Sequence, residues 1–159
     1  MINKKYMRIL FILYLVILIK VIVFKYPLAQ LKHIVESWSS EVFWEGLHGA
    51  NFEFFRTIKL YANNWDNKGI NSFGNLIGNV LIFIPMGYLL PRISESCRSL
   101  FFCMISVLLF VLGIELFQLL SNFGIFDVDD ILLNCFGALI GFIFFKILKL
   151  FDKEKSLNK

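Results

Sequence analysis

The sequence predicts an all-α integral membrane protein, a four-helix transmembrane bundle in which residues 1–159 form a single domain. The chain is 58% hydrophobic, contains 19 Phe and has a mean hydropathy of +0.71, which is too apolar for a soluble core of this size. In addition, several apolar runs approach the roughly 20 residues that a helix needs to cross a hydrocarbon layer. The predicted spans are residues 7–26, 73–90, 100–120 and 128–150.

The first span follows the basic opening MINKKYMR. No small-residue cleavage site comes after its apolar run, so we expect an uncleaved helix rather than a signal peptide. The second span contains Pro85, which lacks a backbone donor and should kink that helix. The third and fourth spans are separated by residues 121–127, where an acidic stretch begins.

The loop from 27 to 72 contains two stretches with helical periodicity. In LKHIVESW apolar residues recur at i, i+3, i+4 and i+7, and NFEFFRTIKLY repeats much of that pattern. They predict two short amphipathic helices that either lie on the membrane interface or cap the bundle. Residues 62–72 are turn-rich and predict a link to the second span.

The distribution of Lys and Arg predicts that both termini are cytoplasmic. That orientation places ten basic residues inside, namely Lys4, Lys5, Arg8, Arg92, Arg98, Lys146, Lys149, Lys153, Lys155 and Lys159. Five lie outside, namely Lys25, Lys32, Arg56, Lys59 and Lys68, and Lys20 lies within the first span. Because the basic residues lie at inner helix ends, the pI near 9.0 indicates contact with anionic lipid, and we expect the lipid bilayer and no nucleic acid as a partner.

Two pairs of polar side chains fall within the apolar spans. Asn75 and Asn79 are four residues apart, with Gly78 beside them, and together they predict a close helix contact with hydrogen bonds across it. Glu115 and Gln118 are three apart and share another face. A carboxylate facing lipid is costly, so we expect Glu115 to face the bundle interior.

Three aspartates lie at the start of the fourth span, and they can be interpreted in two ways. Asp127 is suited to cap the helix, and Asp129 and Asp130 complement the positive end of its dipole. Capping does not explain a stripe with spacings of 3, 4, 3 and 4, formed by Asp127, Asp130, Asn134, Gly137 and Gly141. The stripe predicts a helix contact topped by a polar pocket, and Asp129 lies off it and is the most dispensable of the three aspartates.

We therefore expect a polar cluster near the outer surface, composed of Asn75, Asn79, Glu115, Gln118, Asp127, Asp130 and Asn134. Such oxygen ligands would suit a divalent cation or form hydrogen bonds to a polar headgroup, and the sequence leaves the metal question open. The three cysteines have no paired spacing that would indicate zinc or a disulfide framework, and no cofactor and no catalytic residue are predicted.

Three segments together resemble the VanZ-like family of small bacterial membrane proteins. They are NFEFFRTI at 51–58, NLIGNVLIFIPMGYLLP at 75–91, and ELFQ followed by FDVDDILLNCFGALIG within 115–141. The resemblance implies a bacterial cell-envelope protein that contributes to resistance to teicoplanin-type glycopeptide antibiotics. The chain departs from the family pattern at Phe54, where proline is usual, and at Gly124, where arginine is frequent.

The sequence is compatible with two classes of function. The first is a non-enzymatic protein whose polar pocket binds a lipid-linked wall precursor, a glycopeptide antibiotic or a partner protein. The second is a membrane enzyme or carrier that acts on a lipid or wall-precursor headgroup. No histidine falls in any predicted span and no inverted repeat is visible, so the first class is favoured.

Overall fold

A computed structural model describes residues 3–22, 26–63 and 65–157, with the side chains of 65–73 and 153–157 excepted. Within these residues the chain is helical, and an isolated bridge pairs Asn51 with Asp127. The helices are α1 (Lys4–Ile22), α2 (Leu28–Glu36), α3 (Ser40–Gly49), α4 (Arg56–Asn63), α5 (Trp65–Ile93), α6 (Leu100–Ser121) and α7 (Val128–Leu157), with a short 3-10 helix at Ser96–Arg98.

Three helices are long and apolar enough to cross a membrane, which agrees with an integral membrane protein. They are Gly74–Ile93 within α5, Leu100–Ser121, and Val128–Asp152 within α7. These three helices coincide with the second, third and fourth predicted spans. Helix α1 is not among them because it carries four basic side chains in 19 residues, and the end of the predicted first span, at 23–25, lies outside the described residues.

Helix α1 runs along the bundle and contacts it at both ends. Near its start, Lys4 Nζ lies 3.0 Å from Glu95 Oε1 in the connection between α5 and α6. This hydrogen bond and the charges of Lys4 and Arg98 lower the pKa of the Glu95 carboxyl. In the middle, the Tyr14 hydroxyl donates to the Ile82 carbonyl at 2.8 Å. At the other end the Ile22 carbonyl accepts from Gln118 Nε2 at 3.1 Å.

The closest helix contact, between α5 and α7, is built on glycine. A Cβ atom at Gly137 would lie 2.0 Å from the Val80 carbonyl oxygen, and one at Gly141 would lie 1.9 Å from that of Ile84. The predicted contact at Gly137 and Gly141 is confirmed, because only a residue without a side chain permits this approach. The expected approach at Gly78 is wrong: nothing lies within 4 Å of that position.

The loop before α5 differs from the prediction in two ways. It contains three short helices rather than two, since α3 forms between the predicted pair and is capped by Ser39 Oγ, which accepts from Val42 N at 3.3 Å. The turn-rich stretch 62–72 is largely helical, because α5 already begins at Trp65. Helix propensity is a weak preference, and a long adjoining helix extends through unfavourable residues.

The distribution of apolar side chains matches a helix bundle surrounded by lipid. Phe83, Val107 and Val111 are fully buried where α5, α6 and α7 meet. On the outside, large side chains such as Leu109 and Leu150 are both 64% exposed. A soluble protein rarely exposes so much contiguous apolar surface, whereas a bilayer covers it.

We expect Gly137→Ala to destabilise the protein by about 1–3 kcal/mol, because the added methyl group overlaps the Val80 carbonyl and forces α5 and α7 apart. The matched control is Gly113→Ala in α6, where nothing lies within 4 Å, and there a gain of up to about 1 kcal/mol in helix propensity is expected. Unfolding in detergent measures both. Equal stabilities for the two variants would contradict the glycine contact.

Candidate functional site

The candidate site lies where α7 begins and where the segment 51–58 runs beside it. Asn51 N donates to the Phe126 carbonyl at 2.8 Å, and Val128 N donates to the Asn51 carbonyl at 3.0 Å. The Phe52 and Phe126 rings pack with their centroids 5.0 Å apart. This pairing brings the segment 51–58 to Asp127 and Asp129. Glu115 accepts from Asp127 N, and Asp130 follows Asp129 in the chain. We call these four acidic side chains the carboxylate cluster: Glu115, Asp127, Asp129 and Asp130.

Asp127 caps α7 and also binds the segment 51–58. Its Oδ1 accepts from Asp129 N at 2.8 Å, which confirms the predicted cap. The same oxygen accepts from Asn51 Nδ2 at 2.7 Å, and Oδ2 accepts from the Thr57 hydroxyl at 2.5 Å. One carboxylate therefore fixes both the start of its own helix and a segment about seventy residues earlier in the chain.

Glu115 is buried inside the bundle, as we expected because a carboxylate that faces lipid is costly. It is 2% exposed, and its Oε2 accepts from Asp127 N at 3.1 Å. In a capping box the side chain that meets the N-cap backbone N–H comes from the same helix. Here the acceptor comes from α6 and joins that helix to the start of α7.

Asp129 is the structural centre of the site, although its sequence position had suggested that it was the most dispensable aspartate. It is fully buried; Oδ1 accepts from Phe55 N at 2.6 Å, and Oδ2 accepts from Thr57 N at 2.8 Å and Ile58 N at 3.1 Å. These N–H groups are at the start of α4, where a helix has no internal acceptors for them. Asp129 thus caps α4 from another helix.

The backbone at the start of α4 adopts an uncommon conformation. Phe55 has φ 65°, in the left-handed region that residues other than glycine seldom occupy. Its N–H donates to Asp129, and α4 begins at the next residue. The contact with Asp129 therefore supports a backbone turn that the side chain at Phe55 disfavours.

Asn79 and Asp130 meet across the contact between α5 and α7. Asn79 Nδ2 donates to Asp130 Oδ1 at 2.5 Å, just above the glycine contact. Asn75 is exposed one turn away on the same helix. The two asparagines, which the sequence placed together, therefore have different environments.

Gln118 and Asn134 are buried but serve different parts of the bundle. Gln118 is 5% exposed and donates to the Ile22 carbonyl at the end of α1. A Cβ at Gly124 would lie 2.8 Å from Gln118 Nε2, so the glycine leaves space for that amide. Asn134 is 3% exposed, and among the described residues its Oδ1 has no hydrogen-bond partner.

Three residues of the site were missing from the predicted set: Asn51, Thr57 and Asp129. Asn51 and Thr57 belong to NFEFFRTI, one of the stretches that carry the family resemblance, and this was the available signal. Asp129 has no such signal in the spacing, because its partners are backbone groups of a distant segment.

The contacts of the aspartates at this end of the bundle are hydrogen bonds. Asp127 and Asp129 accept from backbone N–H groups, an amide and a hydroxyl. In the described part of the chain no three His, Cys, Asp or Glu side chains are arranged to hold a metal ion. These contacts of Asp127 and Asp129 hold the starts of α4 and α7 in place.

These features define the class of protein: a small helical membrane protein whose apolar helices meet a partly buried carboxylate cluster at one end. The chain belongs to the VanZ/LLP1 family, because the family model matches residues 11–149. The match covers most of the chain and confirms the resemblance that the three segments indicated. Comparison with curated proteins and with solved structures finds no match.

We expect Asp129→Ala to destabilise the protein by about 1–3 kcal/mol, because three backbone N–H groups lose their acceptor. Proteolysis within 56–63 should accelerate, since α4 loses its cap. Asp152→Ala, at an exposed position of the same helix, is the control and should change neither property. A loss of only a few tenths of a kcal/mol at Asp129 would indicate a dipole effect instead.

Replacing Asn79 by leucine should cost about 1–2 kcal/mol, because the carboxylate of Asp130 loses a donor in the contact between α5 and α7. Asn75→Leu makes the same chemical change at an exposed position of the same helix and should be close to neutral. Detergent unfolding of both variants gives the comparison. Similar losses would mean that the two asparagines act alike, as their spacing alone had suggested.

Proposed function

We propose that this chain is a bacterial cytoplasmic-membrane protein that contributes to resistance to teicoplanin-type glycopeptide antibiotics without catalysing a reaction. Membership in the VanZ/LLP1 family supports the class of function. The observation that carries the non-enzymatic part is the use of Asp127 and Asp129, whose oxygens bind the protein's own backbone and side chains. Carboxylates whose oxygens already accept hydrogen bonds from the protein are suited to a structural role, namely to fixing the surface that the segment 51–58 forms.

The proposal includes a topology of four membrane crossings with both termini in the cytoplasm. Helix α1 is the fourth crossing: at about 1.5 Å per residue its 19 residues extend roughly 28 Å. Its contacts with Glu95 at one end and Gln118 at the other support a crossing parallel to the bundle axis. The excess of Lys and Arg at the end that holds Lys4 supports the orientation.

The polar end of the bundle would then face outwards, where wall synthesis and the antibiotics meet the membrane. There the segment 51–58, held by the carboxylate cluster, would contact a lipid-linked wall precursor, the antibiotic or a partner protein. Asn134 Oδ1 favours a polar ligand, because this buried oxygen has no partner among the described residues and can accept a hydrogen bond from a ligand. The alternative, a membrane enzyme or carrier, would use the same end on a lipid or wall-precursor headgroup.

Antibiotic susceptibility tests the function. Expression of the chain in a susceptible bacterium should raise the inhibitory concentration of teicoplanin, and Asp129→Ala should lower it again because α4 loses its cap. Asp152→Ala is the control and should retain the wild-type value. Membrane levels of all three proteins must be equal. Unchanged susceptibility to both teicoplanin and vancomycin on expression of the wild-type chain would refute the resistance role.

Single-cysteine labelling tests the topology. In a background without Cys97, Cys103 and Cys135, a membrane-impermeant thiol reagent should label Ser37→Cys in intact cells and should label Ser94→Cys only after lysis. Asn3→Cys should behave like Ser94→Cys if α1 crosses the membrane. Labelling of Asn3→Cys from outside would contradict the fourth crossing.

A further inference from the structure

A cavity of about 280 Å³ lies beside the end of α6, and no residue of the carboxylate cluster lines it. It is lined by Val35 and Trp38 at the end of α2 and by Ser121 and Phe123 at the end of α6. Val35 is 63% exposed and Trp38 49%, so the cavity opens to the surroundings. Its volume is slightly below the roughly 300 Å³ at which sites begin to enclose whole small molecules, so it fits part of a larger ligand.

The polar groups in its wall are already engaged. Trp38 Nε1 donates to the Leu120 carbonyl at 3.0 Å. The Ser121 hydroxyl donates to the Phe117 carbonyl at 2.6 Å and accepts from Phe123 N at 3.3 Å. These contacts leave the aromatic and aliphatic surfaces as the main binding surface, and such a wall favours hydrocarbon over a polar ligand.

The cavity is continuous with the apolar surface of α6. The Phe123 ring packs edge-on against that of Phe117, with centroids 5.8 Å apart, and Phe117 is 45% exposed. Leu116 and Leu120 are exposed beside it, on a helix apolar enough to span a membrane. A lipid chain lying along this face therefore reaches the cavity without crossing a polar surface.

We propose that this cavity binds one acyl chain of a phospholipid from the leaflet next to the end of α6. The chain packs between Trp38 and Phe123 while its headgroup stays at the interface, where the exposed edge of Trp38 also lies. The bound lipid links the short helix α2 to the spanning helix α6, which the Trp38 hydrogen bond already joins. The inference rests on the proposed membrane location and is independent of the resistance role.

Fluorescence quenching by lipid bromine tests this site, because Trp38 forms part of its wall. A protein with Trp44→Phe and Trp65→Phe retains only Trp38, and one with Trp38→Phe and Trp65→Phe retains only Trp44, which is outside the cavity. Each is reconstituted in phosphatidylcholine vesicles in which chain-brominated phosphatidylcholine replaces a rising fraction of the lipid. Trp38 should lose about half its emission when half the lipid is brominated, since one chain at a time exchanges through one site.

Val35→Phe should fill the cavity and reduce the quenching of Trp38 by about twofold or more, since the aromatic ring competes with the chain for the same volume. The same substitution should leave the quenching of Trp44 unchanged. Val35→Ala, which keeps the cavity open, should retain the wild-type quenching of Trp38 and shows that a change at this exposed position is tolerated.

Three results would overturn the inference. The first is no bromine quenching of Trp38, and the second is an equal effect of Val35→Phe on Trp38 and Trp44. The third is a Trp38 emission that depends on the protein-to-lipid ratio and not on bromine, which would mean that a second copy of the chain covers the cavity. Each of these can occur with the antibiotic phenotype intact, so failure here is distinguishable from failure of the proposed function.

Discussion

The structure depends on the hydrogen bonds that Asp127 and Asp129 make from the first turn of α7. Removing a carboxylate from solvent, fully as at Asp129 or partly as at Asp127, is costly unless donors surround it. The donors to these two come from the segment 51–58 and from the backbone of α7 itself. The need for donors fixes where that segment lies, and the segment in turn provides the first residues of α4. A local cap of one helix thereby becomes a long-range constraint on another.

The same arrangement addresses a problem that is specific to membrane proteins. Between helices in lipid the hydrophobic effect contributes little, so contact must come from close packing and from polar groups. Helices α5 and α7 use both along one face: Asn79 and Asp130 at one end, and glycines 137 and 141 against the α5 backbone further along. Glu115 adds α6 to the same junction through Asp127 N. The hydrogen bond between Asn79 and Asp130 and the close approach of the two backbones at the glycines therefore stabilise the same helix contact.

The sequence predicted those features of the fold that depend on residues close to one another in the chain. Apolar length identified three spans, the position of Asp127 identified a cap, and the 3-4 spacing identified the glycine face. Prediction failed where the partner is remote or the preference is weak. Asp129 lies off the stripe because it caps α4. The start of α5 forms in a stretch that was predicted to be a turn-rich link, and α3 forms in a part of the loop where no helix was predicted.

The sequence by itself determined that the chain is apolar enough for a membrane, where its long helices run and to which family it belongs, because hydropathy and motif order are properties of the linear chain. Only the tertiary structure decided which carboxylate is central. A buried acceptor is satisfied by whichever donors the fold brings within about 3 Å, and those donors are backbone N–H groups that every residue except proline carries. The spacing of residues along the chain does not indicate which of these donors the fold will bring to a given carboxylate.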